Sequence, residues 1–177
     1  GRWTQTGVPW GSTEDHYSRA FVRFSEDEGR TWSDEINVPH WPGVSEVALV
    51  RAANGDMIAA CRPPMPKRLA EAGAYDHSTG IGISISSDDG YTWSPINYLF
   101  EWGRHHPGLA LLPNGDLVMS YVVRLGYPVT VDGYPQYGIE AVVSHDHGQT
   151  WELDHRYILY VYQGPIKVNA PNSHDYW

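Results

Sequence analysis

The sequence predicts an all-β chain built as an array of four-stranded antiparallel units. Three observations carry that expectation. The first is a motif written three times, Ser-x-Asp-x-Gly-x-Thr-Trp, at residues 25–32 (SEDEGRTW), 86–93 (SSDDGYTW) and 144–151 (SHDHGQTW). The second is a pair of Asn-Gly turns between apolar runs: EVALVRAANGDMIAAC around Asn54-Gly55-Asp56, and PGLALLPNGDLVMSY around Asn114-Gly115-Asp116. The third is their beat, since Trp32, Trp93 and Trp151 stand 61 and 58 positions apart. A hairpin, a long connection and a second hairpin in roughly sixty residues is a period that suits propeller blades or similar arrays.

Each element has its own reason. The runs before the motif, SRAFVRF, GIGISIS and YGIEAVV, read as strands. In the motif, Asp27, Asp88 and Asp146 accept hydrogen bonds from backbone N–H groups just downstream, as Asx-turns do. Gly29, Gly90 and Gly148 supply the positive φ of a tight turn. The β-branched Thr returns the chain to extended structure, and Trp32, Trp93 and Trp151 pack beneath their turns. These residues are therefore expected to be structural rather than catalytic. The Asn-Gly turns close the other hairpin of each unit. A helix is expected at most in the short stretch PKRLAEAG at 66–73.

Composition narrows the function. The chain has 177 residues and a net charge of −9, which argues against a phosphate-binding surface and hence against nucleic acid as a partner. No run of eighteen apolar residues suggests a membrane span. No charged-then-apolar leader opens the chain. Cys61, the one cysteine, has no internal disulfide partner and reads as a small buried hydrophobe.

The three motifs are Asp-boxes, and over residues 18–160 the chain resembles the Asp-box (BNR-repeat) β-propellers of the sialidase/neuraminidase superfamily. The resemblance implies four-stranded antiparallel blades, six in a sialidase-like propeller, of which this chain is about three. The expected division is the end of one blade at 18–38, a blade at 45–100, a blade at 105–160 and the start of another at 161–177. Closing a propeller takes at least four blades. The remaining blades are therefore expected from missing parts of a longer chain or from another copy.

Blade topology then separates two faces. The Asn-Gly turns and the Asp-boxes share one end, and the long connections at 33–45, 62–78, 101–107 and 122–137 share the other. Function is expected on the latter. There Glu46 opens a first strand and Arg62 ends the second. A charged pair beside apolar strands is costly unless paired or used. One reading is a salt bridge that caps the blade. The resemblance implies another, in which Arg62 belongs to an arginine triad that grips a substrate carboxylate and Glu46 is catalytic, polarising a Tyr nucleophile. A planar guanidinium suits a carboxylate, and a Tyr nucleophile avoids repulsion from it.

The next blade departs from this pattern: aligning Asn54 with Asn114 sets His106 opposite Glu46 and Val122 opposite Arg62. It offers Arg104, His105 and His106 before its first strand, and Arg124, Tyr127, Asp132, Tyr134 and Tyr137 after its second. Arg104 and Arg124 are candidates for further carboxylate binding, with His106 and Tyr127 as substrate-binding neighbours. A metal is not expected. His145 and His147 occupy variable Asp-box positions, and no His-x₃-His spacing accompanies His105. No cofactor is implied. The Arg-Ile-Pro signature of many sialidase domains is absent, Asp76 has no warrant as the acid, and Tyr162 or Tyr176 could serve as nucleophile only by folding back.

Three functions follow. The first is a sialidase-like glycoside hydrolase acting on terminal acidic sugars of glycans, expected to be secreted or periplasmic. The second is another propeller carbohydrate enzyme, a polysaccharide lyase or exo-glycosidase, with His and Tyr as base and acid. The third is a non-catalytic propeller that binds glycans or proteins. Three converging guanidinium groups near Glu46 favour the first, and one Arg with a close His–Tyr pair favours the lyase.

Overall fold

A computed structural model of the protein describes residues 2–7, 19–64, 68, 79–123 and 136–163. The described strands form three antiparallel sheets. The first runs β1 (Trp3–Gly7), β2 (Arg19–Ser25) and β3 (Ile36–Pro42). The second holds β4 (Val47–Arg51), β5 (Met57–Cys61), β6 (Ile81–Ser86) and β7 (Asn97–Phe100) in chain order. The third holds β8 (Arg104–Leu111), β9 (Leu117–Val123), β10 (Gln136–Ser144) and β11 (Tyr157–Gln163), again in chain order. Four antiparallel strands laid side by side in sequence order are a propeller blade, and the chain is all-β as its sequence predicts.

Three elements differ from expectation, one being β8, which begins at Arg104 and so takes in Arg104, His105 and His106, expected in the connection at 101–107. Strand β1 pairs with β2 from Trp3↔Ser25 to Gly7↔Phe21, although WTQTG lacks an apolar alternation to announce it. The connection expected at 33–45 contains β3, whose inward side chains Val38 and Trp41 are buried. The possible helix at 66–73 lies outside the described residues apart from Arg68.

The sheets stack through side chains of strict alternation. All five residues of β5 are buried. Met57, Ala59 and Cys61 pack with Ala20, Val22, Phe24, Val38 and Trp41 of the first sheet. Ile58 and Ala60 point the other way, to Leu117, Met119, Tyr121, Val123 and Val142 of the third. Period-2 geometry sends neighbours to opposite faces, so a strand between two sheets must be apolar throughout. The Cys61 thiol is among these buried groups, and burial pushes its pKa up.

The Asp-box repeats atom for atom. Asp27 Oδ1 accepts from Thr31 N–H at 2.8 Å and Oδ2 from the Thr31 hydroxyl at 2.7 Å. Asp88 does the same with Thr92, and Asp146 with Thr150. The opening Ser hydroxyl donates to the Asp and accepts from the Gly N–H, as in Ser25 with Asp27 and Gly29. The Trp indole N–H donates to the Gly carbonyl in all three copies. The residue before each Gly also has positive φ: Glu28 (62°), Asp89 (67°) and His147 (61°). The variable position is thus conformationally demanding, which the motif does not reveal. These hydrogen bonds, the Thr hydroxyl's first, hold the carboxyls of Asp27 and Asp88 down at about 2. In Asp146 burial pushes upward, and the bonds from Thr150 and Ser144 together outweigh it.

Trp93 and Trp151 are buried, whereas Trp32 is half-buried under the Arg23 guanidinium, 5.3 Å from its ring. The Asn-Gly turns are closed by a left-handed Gly: Gly55 (φ 97°) donates to the Ala52 carbonyl at 3.0 Å, and Asn54 braces Asp56 at 2.8 Å.

Candidate functional site

Strand register separates the two ends of the second sheet. Met57 pairs with Ser86 at the Asp-box end, and Cys61 pairs with Gly82 at the other. Glu46 and Arg62 lie just beyond that far end, about 15 Å of strand from the Asp-box. The ladder continues through them: Arg62 N–H donates to the Glu46 carbonyl at 2.8 Å, and Ser45 N–H to the Arg62 carbonyl at 3.2 Å.

The side chains meet as well. Arg62 Nη1 donates to Glu46 Oε1 at 2.8 Å, and Arg62 Nε donates to Thr79 Oγ1 at 2.6 Å. Thr79, which stands just before β6, is buried, and its carbonyl accepts from Arg104 N–H at 3.2 Å. The Arg62 side chain is 9% exposed and that of Glu46 is 28% exposed, so the carboxylate is the accessible partner.

The third sheet completes the cluster. Its first strand starts beside β4, and His106 N–H donates to Glu46 Oε2 at 3.0 Å. The His106 imidazole Nε2 stands 3.2 Å from Glu46 Oε1. His106 has φ 55° and sits in a bulge, where His106 and Pro107 together face Tyr121. Bulges re-aim side chains in this way. The histidine that aligns with Glu46 in the repeat therefore touches it. Among the described residues, the groups that meet the Glu46 carboxylate are Arg62 and His106 rather than a Tyr hydroxyl.

Arg104 goes elsewhere. It is buried, lies 4.6 Å over the Phe100 ring, and directs Nε toward Glu140 Oε2 at 3.8 Å. Glu140 is 1% exposed and also faces Arg156 Nη1 at 3.5 Å. Tyr121 pairs across the ladder with Glu140, and burial, then the Glu140 charge, push its phenol pKa up. Glu140, Arg156 and Tyr121 were missed as a group. The signal was present as a lone carboxylate in the apolar run YGIEAVV.

The expected Arg124 and Tyr127 lie outside the described residues, as do Asp76, Asp132, Tyr134 and Tyr176. So do the side chains of His105, Tyr137 and Tyr162. Among the described residues no group of three or more His, Cys, Asp or Glu is placed to hold a metal ion. Among them, too, no helix is long and apolar enough to cross a membrane.

Comparison with known proteins agrees with the turns and sheets. The BNR/Asp-box repeat family matches residues 142–153, the third of the three motifs. No curated protein matches the chain in sequence. Among solved structures, a protein of unknown function from Dyadobacter fermentans is 21% identical, with a TM-score of 0.64 over 90% of this chain and 38% of its own. The α-L-arabinanase of Penicillium chrysogenum is 18% identical, with a TM-score of 0.62 over 94% of this chain and 47% of its own. A Hadza microbial sialidase is 20% identical, with a TM-score of 0.56 over 85% of this chain and 34% of its own. The chain thus spans less than half the length of these structures.

Fold and turns together define a β-propeller of four-stranded blades. The chain carries Asp-box (BNR) repeats on propeller-type sheets and is similar in fold to part of a sialidase and of an arabinanase.

Proposed function

We propose that the chain forms part of a glycoside hydrolase that removes terminal sugars from glycans, with Glu46 as the carboxylate at its reaction centre. The observation that carries this reading is the placement of Glu46: just before β4, the edge strand of its sheet, partly exposed, anchored by a buried Arg62 and reached by His106 of the next sheet. A pre-oriented carboxylate on a rigid strand end is what acid–base or nucleophile-activating chemistry at a sugar requires. The arabinanase and sialidase folds support the class.

In the sialidase-like form the substrate is a terminal acidic sugar, and Arg62 is one of the guanidinium groups that receive its carboxylate. A second form acts on arabinosyl termini. It is favoured by the observation that Arg62 already bonds Glu46 and Thr79, while Arg104 faces Glu140. Action on extracellular glycans would go with a secreted or periplasmic protein.

The propeller is completed by further blades, from the rest of a longer chain or from a second copy. The last described strand supports this: Tyr157, Ile158, Leu159, Tyr160 and Val161 are 40–60% exposed, so both faces of an apolar edge strand stand uncovered, as they do where a neighbouring element packs.

Hydrolysis of a fluorogenic sialoside and of a fluorogenic arabinofuranoside by the intact protein tests both forms. Glu46→Gln keeps the shape and is expected to lower kcat by roughly 10²–10⁴-fold on the active substrate, with KM little changed. Unchanged turnover would make the Glu46–Arg62 pair a salt bridge that only closes the blade. Binding of either glycan without turnover would favour a recognition propeller.

A further inference from the structure

We propose that His106 is a positioning residue for Glu46, a clamp from the neighbouring blade that fixes the orientation of the carboxylate. The inference rests on the assignment of Glu46 as the reacting carboxylate.

The geometry points to it in three ways. First, Arg62 approaches one carboxylate oxygen, Oε1, at 2.8 Å. A carboxylate held at one oxygen still turns about the bond that carries it. His106 brings a donor to the second oxygen, since its N–H lies 3.0 Å from Oε2 while its ring Nε2 lies 3.2 Å from Oε1. Both oxygens are then fixed by groups on two different strands, which is the two-point hold that catalytic orientation needs.

Second, the hold depends on an unusual backbone. His106 has φ 55°, a left-handed conformation that few non-glycine residues adopt, and it precedes Pro107, a context that favours extended structure. The bulge at His106 and Pro107 interrupts pairing with β9, and the proline has no N–H to lose there. Strained backbone persists where surrounding structure over-determines it and often marks function. Here it turns the His106 N–H out of its own ladder and onto Glu46.

Third, the contact crosses a blade boundary. Glu46 precedes β4 and His106 lies in β8, so a rotation between the second and third sheets reaches the carboxylate directly through this residue, beside the indirect route from Arg104 through Thr79 and Arg62. The equivalent position of the repeat holds Glu46 itself, so one blade supplies the acid and the next supplies its clamp.

The intact protein and the variants His106→Ala, His106→Gln, His106→Gly and Glu46→Gln, assayed on 4-methylumbelliferyl sialoside and arabinofuranoside, test this. His106→Ala is expected to lower kcat by about 10- to 100-fold, with KM changed less than about twofold, as misplacement of a catalytic group does. His106→Gln keeps a side-chain donor and is expected to recover most of the rate. Alanine and glycine at this position both keep the backbone N–H and lose the imidazole, and His106→Gly alone also relieves the strain at φ 55°, so it is expected to fall between His106→Ala and His106→Gln. In the Glu46→Gln background, His106→Ala should cost nothing further.

Full activity in His106→Ala, beside an impaired Glu46→Gln, would overturn the clamp and leave the assignment of Glu46 standing. A glutamine variant as slow as the alanine one would overturn it too, because the imidazole would then carry the proton itself. Full activity in Glu46→Gln would instead remove the assignment of Glu46. A thermal-unfolding double-mutant cycle on Glu46 and His106 reads the contact without turnover: non-additive Tm shifts are expected, and additive shifts would overturn the clamp.

Discussion

The second and third sheets share a backbone plan and differ in what they bury. Both carry the Asp-box and the Asn-Gly turn, and in both the second strand pairs with the third in the same register: Cys61↔Gly82 in one, Tyr121↔Glu140 in the other. The repeat sets Val44, Cys61 and Gly82 against Arg104, Tyr121 and Glu140 at equivalent positions. The first set is small and apolar, and a Cβ on Gly82 would come within 2.2 Å of Ile96 Cγ2. The second set is a buried charge cluster, neutralised by Arg104 and Arg156. One backbone therefore tolerates two opposite solutions at a blade interface. The charged solution is the more demanding, because the buried Glu140 and Arg104 must find counter-ions where little solvent reaches.

The strongest way to break the comparison is to remove one ion. Glu140→Ala leaves Arg104 buried without its carboxylate and is expected to cost about 3–5 kcal/mol in urea unfolding. The double change Glu140→Met with Arg104→Met brings the third sheet closer to the apolar plan of the second. It should destabilise less than Glu140→Ala alone. A double variant that is worse than the single one would mean that the cluster does more than balance charge.

Next in size are the turn anchors. Trp93→Ala and Trp151→Ala should each cost about 3–5 kcal/mol, as deletions of large buried aromatics do. Trp32, half-buried, should cost less than half as much. Equal losses at all three positions would show that the first sheet gains a cover for Trp32 that the described residues lack.

Smaller effects come from titration. The carboxyl of Asp88 is held at about 2 by Thr92 and Ser86, below its ordinary 3.8. A depressed folded-state pKa contributes stability that is present above the ordinary value and lost as pH falls through the folded one. The melting temperature should therefore drop between about pH 4 and pH 2, and Asp88→Asn should flatten that part of the profile.

The smallest effect separates the sheets again. His145, in the third Asp-box, donates to Asp116 at 2.9 Å and lies 3.5 Å from Glu152. These partners, Asp116 first, raise its pKa above the ordinary 6.5. A raised value contributes stability below the ordinary pKa that is lost as pH rises through the folded one. His145→Gln should remove a slight fall in melting temperature on the alkaline side, with no counterpart in the second sheet, where Ser87 stands at the equivalent place.

Most of the scaffold was legible because its decisive bonds are local. Every Asp-box bond named above links residues no more than four apart, so the motif specifies the turn wherever it occurs. Strands β5 and β9 were legible for a similar reason, as the apolar runs that follow the Asn-Gly turns. The site was legible only in part. Glu46 and Arg62 could be placed together because each ends a strand of one hairpin. Thr79 could not be seen as the second partner of Arg62, since a long connection separates them in sequence. Arg104 read as a site residue because a surface arginine and a buried one look alike until Glu140 is known to face it.

What the sequence by itself determined is therefore the repeat: three turns with their anchors, the hairpins between them, and the polarity that sets Glu46 and Arg62 at the end opposite the Asp-boxes. The tertiary structure alone decided how one sheet sits on the next. That stacking brought His106 onto Glu46, while the side-by-side order of distant strands within the third sheet faced Arg104 with Glu140. The reason is range: hydrogen bonds between near neighbours are fixed by the chain that carries them, whereas contacts between sheets depend on the packing of many side chains at once.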